Sequence, residues 1–152
     1  GIYLKAKRRL WIYQKMKNCN NCKRSIIELH QNFEDWNNSE IPKQKNILKT
    51  KIQDFLNPNF QIVYPDATKQ NKIQFSNMIY KDHGSSKSFN IKLKNIKIQK
   101  NRSKYLARYQ EWQYNKNKCF LKIQTSSVLQ RNPKTKKIQF LQIHETQKKF
   151  KT

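Results

Sequence analysis

Positive charge is the feature that most limits how this chain can fold. Of its 152 residues, 33 are Lys or Arg and only 9 are Asp or Glu, which gives a formal net charge of +24 at pH 7. A compact chain with this charge repels itself unless an anionic partner neutralises it. Hydrophobic residues make up only 36%, yet 8 Phe, 7 Tyr and 3 Trp are too many for a disordered tail. We therefore expect one small folded domain that binds a polyanion.

The charge is distributed unevenly along the chain. Residues 1–27 contain eight basic residues and no acidic one, residues 28–82 are neutral, and residues 83–152 have a net charge of +16. The neutral middle favours contacts with protein, and the basic ends favour contacts with a polyanion. We predict a basic N-terminal helical extension at 1–24, a small α+β domain at 25–143 and a basic C-terminal tail at 144–152.

Apolar residues at helical spacing predict three helices in the first part of the chain. The first lies within 1–17, the second opens at a capping box formed by Ser25 and Glu28, and the third begins near Pro42 and ends at Asn57. The positions predicted to be buried are Tyr3, Ala6, Leu10, Tyr13 and Met16 in the first, Ile26, Leu29, His30, Phe33 and Trp36 in the second, and Leu48, Ile52, Phe55 and Leu56 in the third. His30 is therefore interpreted as a core residue.

Alternating apolar residues predict strands in the second part. These are at 60–64, 73–79, 89–98, 119–125 and 137–143, with a bulge in the third where the alternation shifts by one residue. Turn-forming residues at 131–135 predict a C-terminal hairpin, and 103–114 returns to helical spacing. The predicted fold is a small mixed α+β domain of N-terminal helices, antiparallel strands, one later helix and a C-terminal hairpin, with basic extensions.

No motif of an enzyme is found in the sequence. Gly occurs only twice, and neither phosphate-binding glycine motif is present. His83 follows Asp82 in a loop and is compatible with a base and its orienting group, but such neighbours are common without function. Glu34, Asp35 and Glu40 fit a solvated helix end and loop better than a catalytic pair. We predict that the chain is not an enzyme.

Two cysteines are the candidate metal ligands. Cys19 and Cys22 have the spacing that places two thiolates on one metal ion, but no second pair follows, since Cys119 is distant in sequence. Two thiols at this spacing also fit one face of a helix, so both interpretations stay open. We predict no cofactor, with Zn²⁺ as the candidate metal. No apolar stretch is long enough to span a bilayer, and we expect a protein that is not integral to a membrane.

Basic residues at both ends and in the hairpin are the candidate contacts to RNA. Lys and Arg neutralise phosphates, and interleaved aromatic rings offer faces for base stacking. The predicted contacts are Lys5, Lys7, Arg8, Arg9, Lys15 and Lys17 near the N-terminus, Lys100, Arg102, Lys104 and Arg108 around the later helix, Arg131, Lys134, Lys136 and Lys137 in the hairpin, and Lys148, Lys149 and Lys151 in the tail.

Part of the chain resembles the double-stranded-RNA-binding domain. The predicted order over 43–116, a helix, three strands and a helix, is the order of that family. Its second helix typically opens with a motif that looks like this chain at Arg102, Ser103, Lys104, Ala107 and Arg108. The resemblance implies that these basic side chains face RNA phosphates.

The whole chain resembles organellar ribosomal proteins as a class. Lys, Asn and Ile dominate while Gly is rare, as is typical of an AT-rich genome, and a small mixed domain has basic ends and no catalytic motif. The resemblance implies a structural constituent of the mitochondrial ribosome, located in the matrix, that binds ribosomal RNA and neighbouring ribosomal proteins. The alternatives are an accessory subunit of an organellar membrane complex that contacts anionic lipid, and a DNA-binding maintenance protein.

Overall fold

The chain forms three α-helices, one short 3-10 helix and six strands. The computed structural model describes the backbone of residues 2–147 and the side chains of residues 6–10 and 16–147. The helices are α1 (Ile2–Asn37), α2 (Lys45–Lys51), the 3-10 helix (Gln53–Phe55) and α3 (Lys72–Lys81). The strands are β1 (Leu56–Val63), β2 (Lys69–Asn71), β3 (Phe89–Asn101), β4 (Lys104–Asn115), β5 (Lys118–Arg131) and β6 (Ile138–Gln147).

All six strands belong to one mixed sheet with the order β2-β1-β6-β5-β4-β3. Strands β1 and β6 are parallel, and every other neighbouring pair is antiparallel. The predicted mixed α+β class, with N-terminal helices followed by strands, is confirmed. The predicted basic extensions are not shown, because residues 2–24 belong to α1 and residues 144–147 belong to β6.

The core lies between one face of this sheet and the second half of α1. Strand β4 illustrates the reason, because Tyr105, Ala107 and Tyr109 are buried while the intervening Leu106 and Arg108 are exposed. Side chains alternate between the two faces of a strand, so this pattern buries one face and leaves the other in solvent. The largest side chains buried in the core are Trp36, Tyr109, Phe60 and Phe140.

Helix α1 is continuous over 36 residues, so the prediction of two helices with a capping box at Ser25 is wrong. Neither Pro nor Gly occurs within it, and buried residues recur every three or four positions from Cys22 to Trp36. The predicted apolar stripe of its first half does not pack on the core, since Leu10 and Met16 are 66% and 61% exposed. The side chains of Tyr3 and Tyr13 lie outside the described residues. Among residues 2–147, no helix combines the length and apolar character needed to cross a membrane.

The segment 73–79 is helical, and its prediction as a strand is wrong. The Asn71 side chain accepts a hydrogen bond from the backbone N–H of Gln74, and the Gln74 side chain accepts one from the backbone N–H of Asn71. This capping box starts α3. Ile73 is 71% exposed while Phe75 is buried, so the two do not form the alternating strand face that their spacing suggested.

The segment 103–114 is strand β4, and its prediction as a helix is wrong. It pairs along its length with β3 on one side and with β5 on the other. The backbone turns from β3 into β4 at Arg102, whose φ is 58°. Within 43–116, all of which is described, no helix follows β3, so the resemblance to the double-stranded-RNA-binding domain is overturned as well.

Several local predictions are confirmed. The third predicted helix corresponds to α2 and the 3-10 helix, although Asn57 already belongs to β1. The register of β3 against β4 shifts between Lys94 and Lys97, which is the predicted bulge. The C-terminal hairpin is formed by β5 and β6, and its turn is closed by the backbone N–H of Asn132 donating to the carbonyl oxygen of Lys137.

Candidate functional site

A cavity of about 330 Å³ opens between the inner face of the sheet, the second half of α1 and helix α3. Its volume lies at the small end of the range for ligand pockets, about 300–1,000 Å³. Most of the wall is apolar, and this part includes Phe33, Ile62, Phe75, Met78, Leu121 and Ile143. One imidazole and two carboxyl groups, those of His30, Glu111 and Glu145, interrupt that wall.

The strand register explains why two carboxyl groups face the same cavity. Glu111 on β4 pairs with Ile123 on β5, and the adjacent row joins Tyr109, Thr125 and Glu145 across β4, β5 and β6. These positions share the inner face, because residues two apart on a strand point the same way. Glu111 and Glu145 therefore reach the cavity from strands on either side of β5.

His30 and Glu111 form a buried ion pair. The distance between His30 Nε2 and Glu111 Oε1 is 2.9 Å, and Nδ1 of His30 lies 2.7 Å from the carbonyl oxygen of Ile26. Nε2 of Gln113 donates to the other carboxylate oxygen at 2.6 Å. Burial disfavours both charges, but the partnership raises the pKa of His30 and lowers the pKa of Glu111 relative to their ordinary values. Both groups are thus charged, and both nitrogens of His30 and both carboxylate oxygens of Glu111 have a partner.

Glu145 is the ionisable group of the cavity that has no partner. Among the side chains that the structure describes, its carboxyl group has no hydrogen-bond or ion-pair partner, although it lines the cavity. Burial, together with the negative charge of Glu111, raises its pKa to about 7. Glu145 therefore exchanges a proton near neutral pH, unlike Glu111.

The polar groups at the mouth of the cavity are uncharged. The hydroxyl of Tyr64 donates to Oε1 of Gln70, and burial raises the pKa of Tyr64, so the phenol stays protonated. Among the described residues, no Lys or Arg lines this cavity. The positive charges of the described Lys and Arg side chains therefore lie outside the cavity wall, and His30 is the cation that belongs to it.

The residues predicted to contact RNA lie elsewhere, on several separate surfaces. Lys7, Arg8, Arg9 and Lys17 lie on the first half of α1, Lys100, Arg102, Lys104 and Arg108 lie on β3, β4 and the turn between them, and Arg131, Lys134, Lys136 and Lys137 lie at the β5–β6 turn. The side chains of Lys5 and Lys15, and residues Lys148, Lys149 and Lys151, lie outside the described residues. Two of these groups are each brought together: Arg131, Lys136 and Lys137 line a second cleft with Arg24, and Lys100, Arg102 and Lys104 surround the β3–β4 turn.

The two candidate metal ligands lie on α1. Cys22 is fully buried and Cys19 is partly buried. Burial raises the pKa of Cys22 to about 12, which disfavours the thiolate that a metal ion needs. In the part of the chain that the structure describes, no three His, Cys, Asp or Glu side chains form a group that could hold a metal ion. Binding of Zn²⁺ by Cys19 and Cys22 stays a prediction.

His83 holds a loop rather than facing the cavity. Its Nε2 lies 2.7 Å from the carbonyl oxygen of Ile41, and its ring packs edge-on against Trp36 at 4.7 Å between centroids. Asp82 is exposed at the C-terminus of α3. His83 therefore links the segment after α3 to Ile41 and to Trp36 of α1. Neither His83 nor Asp82 lines the cavity.

The two cavity carboxyl groups are not singled out by any local sequence pattern. Glu111 and Glu145 contribute only to the net charge of 83–152, and the helical spacing of His30 indicates a core residue. One signal was available, because these are the only acidic residues in 83–152. This signal points to a site only if 103–114 is a strand, because Glu111 then lies on the same buried face as Tyr109.

The fold is that of NTF2-like proteins. No protein-family model and no curated sequence matches the chain. An NTF2-like protein from Pseudomonas aeruginosa matches with a TM-score of 0.75 and 15% identity, over 85% of this chain and 99% of that one. A candidate dehydratase of the NTF2-like family from Streptomyces avermitilis gives 0.70 and 7%, over 90% and 99%. A candidate ketosteroid isomerase from Parabacteroides distasonis gives 0.56 and 16%, over 82% and 86%.

These similarities correct the functional expectation drawn from composition. The structural neighbours are NTF2-like and cystatin-like proteins, so the prediction of a ribosomal, RNA-binding constituent of translation is wrong. Net charge does not show where the charges lie, and the described Lys and Arg side chains lie outside an apolar cavity. The neighbours include two candidate enzymes and several proteins of unknown function, so the fold does not by itself decide whether this chain is an enzyme. The mitochondrial location stays a prediction.

Proposed function

We propose that this chain binds a small, largely apolar organic molecule in the cavity and transfers a proton on it with the carboxyl group of Glu145. The observation that carries the proposal is an unpartnered carboxyl group with a pKa of about 7 inside an apolar cavity. A general base works best when its pKa lies near the working pH, because it is then both available and basic enough.

The other two ionisable groups support Glu145 rather than replace it. Both nitrogens of His30 are engaged, and both oxygens of Glu111 accept hydrogen bonds. Two carboxyl groups whose environments drive their pKa values apart are a common arrangement for acid–base chemistry. Glu111 stays ionised, and its negative charge helps to raise the pKa of Glu145.

The reaction that fits this arrangement requires only the movement of a proton. The Glu145 carboxylate accepts a proton from a carbon next to a carbonyl group and then returns it to another carbon of the same molecule or to a leaving hydroxyl. The first outcome is an isomerisation and the second is a dehydration. Candidate enzymes of both kinds occur among the structural neighbours, which supports the proposal.

Proton exchange on carbonyl probes tests this directly. The native protein should catalyse hydrogen–deuterium exchange or double-bond migration in a β,γ-unsaturated cyclic ketone or ketosteroid, followed by NMR. The rate should rise with pH and level off above about pH 7, as the raised pKa of Glu145 requires.

Three variants separate the role of Glu145 from general effects on the protein. Glu145→Gln should slow the reaction by about 10²-fold or more, and Glu145→Asp should retain part of the rate. Glu40→Gln, a substitution at an exposed loop residue, should leave the rate unchanged. Native rates in Glu145→Gln, or no exchange with any of these probes, would contradict the proposal.

A further inference from the structure

The sheet face opposite the cavity carries positive charge without negative charge. In strands β3–β6, all of which are described, the only acidic residues are Glu111 and Glu145, and both line the cavity. On the opposite face, Lys92 pairs with Trp112, and Lys97 pairs with Arg108, between neighbouring strands. Together with Lys94, these four residues form the basic face of the sheet: Lys92, Lys94, Lys97, Arg108 and Trp112.

The charges of the basic face are not compensated within the described chain. Among the side chains that the structure describes, His30–Glu111 and Lys49–Asp54 form ion pairs, and neither pair involves this face. Cations on adjacent strands repel one another, so an anionic partner that bridges them lowers the free energy of the surface. We propose that the basic face docks an acidic segment of another protein.

Lysine side chains already lie over the Trp112 and Tyr114 rings, which leaves these two rings less open to nucleic-acid bases. Nζ of Lys94 lies 3.4 Å from the centroid of the Trp112 ring, and Nζ of Lys122 lies 3.8 Å from it. Nζ of Lys92 lies 4.9 Å from the ring of Tyr114. Base stacking requires a free ring face, so these contacts favour a partner that has carboxylates but no bases.

Two further observations favour a protein partner. Leu106, which lies on the same face two residues from Arg108, is 39% exposed and provides the apolar contact that protein interfaces use beside their charges. A second copy of this chain fits poorly, because a two-fold symmetric contact would place the lysines of one basic face against those of the other, where they repel. Carboxylates interspersed with apolar side chains match both features.

Binding of matched probes tests the proposal. Fluorescence anisotropy would compare a labelled peptide of alternating Glu and Leu with an oligouridylate of equal negative charge, at physiological salt. The face variant is K92Q/K94Q/K97Q/R108Q. The control variant, K45Q/K51Q/K69Q/K81Q, removes the same charge from exposed residues elsewhere.

The native protein should bind the peptide more tightly than the oligouridylate. The face variant should weaken peptide binding by about tenfold or more, and the control variant by less than about threefold. Equal weakening in the two variants would overturn the proposal and leave only the effect of net charge. Tighter oligouridylate binding that is lost in the face variant would assign the face to nucleic acid. A native dimer in sedimentation that the face variant dissociates would assign it to a second copy.

Discussion

Nε2 of His30 lies 2.9 Å from Oε1 of Glu111, and this ion pair joins helix α1 to the central part of strand β4. Both side chains are almost fully buried, at 4% and 6% exposure. Pairing compensates two charges that burial alone would not tolerate. The pair also sets the electrostatics of the cavity, because the ionised Glu111 helps to hold the pKa of Glu145 at about 7.

Breaking the ion pair on one side should destabilise the fold strongly. Glu111→Ala leaves His30 without its partner, and His30→Ala leaves a buried carboxylate. Each should lower the free energy of unfolding by about 3–5 kcal/mol, measured in urea at pH 6. Glu28→Gln, an exposed change on the same helix, should have an effect within about 0.5 kcal/mol. The double variant should cost less than the sum of the single variants, and an additive result would contradict direct coupling.

Glu145 should make the folded chain less stable as the pH rises. Its pKa is raised from 4.5 to about 7, so the folded chain retains a proton that the unfolded chain has already released. The contribution is fully present below about pH 4.5 and is lost as the pH rises through 7. The shift corresponds to at most about 3 kcal/mol.

Glu145→Gln mimics the protonated carboxyl group at every pH. It should therefore be more stable than the native protein at pH 8 by up to about 3 kcal/mol and nearly equal to it at pH 5. Thermal or urea unfolding at the two pH values measures this, with Glu40→Gln as the reference for an exposed carboxyl group. The same stability difference at both pH values would refute the raised pKa.

Thr125 should tolerate the loss of its hydroxyl group. Its Oγ1 is buried and has no hydrogen-bond partner within the described residues, and the side chain is 1% exposed. Thr125→Val keeps the shape and removes the unpaired group, so it should stabilise the protein by about 1–2 kcal/mol. Thr125→Ser keeps the hydroxyl, loses a methyl group and should destabilise it by about 1 kcal/mol. Destabilisation by valine would reveal a hydrogen bond to this hydroxyl.

The capping box of α3 provides a test of the corrected secondary structure. Asn71→Ala removes the acceptor for the backbone N–H of Gln74 and should cost about 1 kcal/mol. Asn77→Ala, an exposed change inside the same helix, should be neutral or slightly stabilising because Ala has the higher helix propensity. If 73–79 were a strand, Asn71 would cap no helix, and Asn71→Ala would be as neutral as Asn77→Ala.

Local sequence patterns were sufficient for part of the fold. The buried stripe from Ile26 to Trp36, the bulge in β3 and the β5–β6 hairpin were all predicted at their observed places. Each depends on residues close together in sequence, whose spacing or turn chemistry admits one structure. The cavity was beyond such patterns, because His30, Glu111 and Glu145 come from three distant segments and meet only through the strand register.

Local residue patterns are enough to predict the helical stripe of α1, the period-two pattern of β3, the hairpin turn and an excess of positive charge that has to be exposed. The secondary structure of 103–114 depends on tertiary contacts, because the spacing of Tyr105 and Tyr109 fits one face of a strand and also one face of a helix. The neighbouring strands β3 and β5 supply the backbone hydrogen bonds that select the strand. Tertiary structure also decided that the acidic Glu111 and Glu145 face inward while Lys92 and Arg108 face outward, since strand pairing rather than charge sets the face on which each side chain lies.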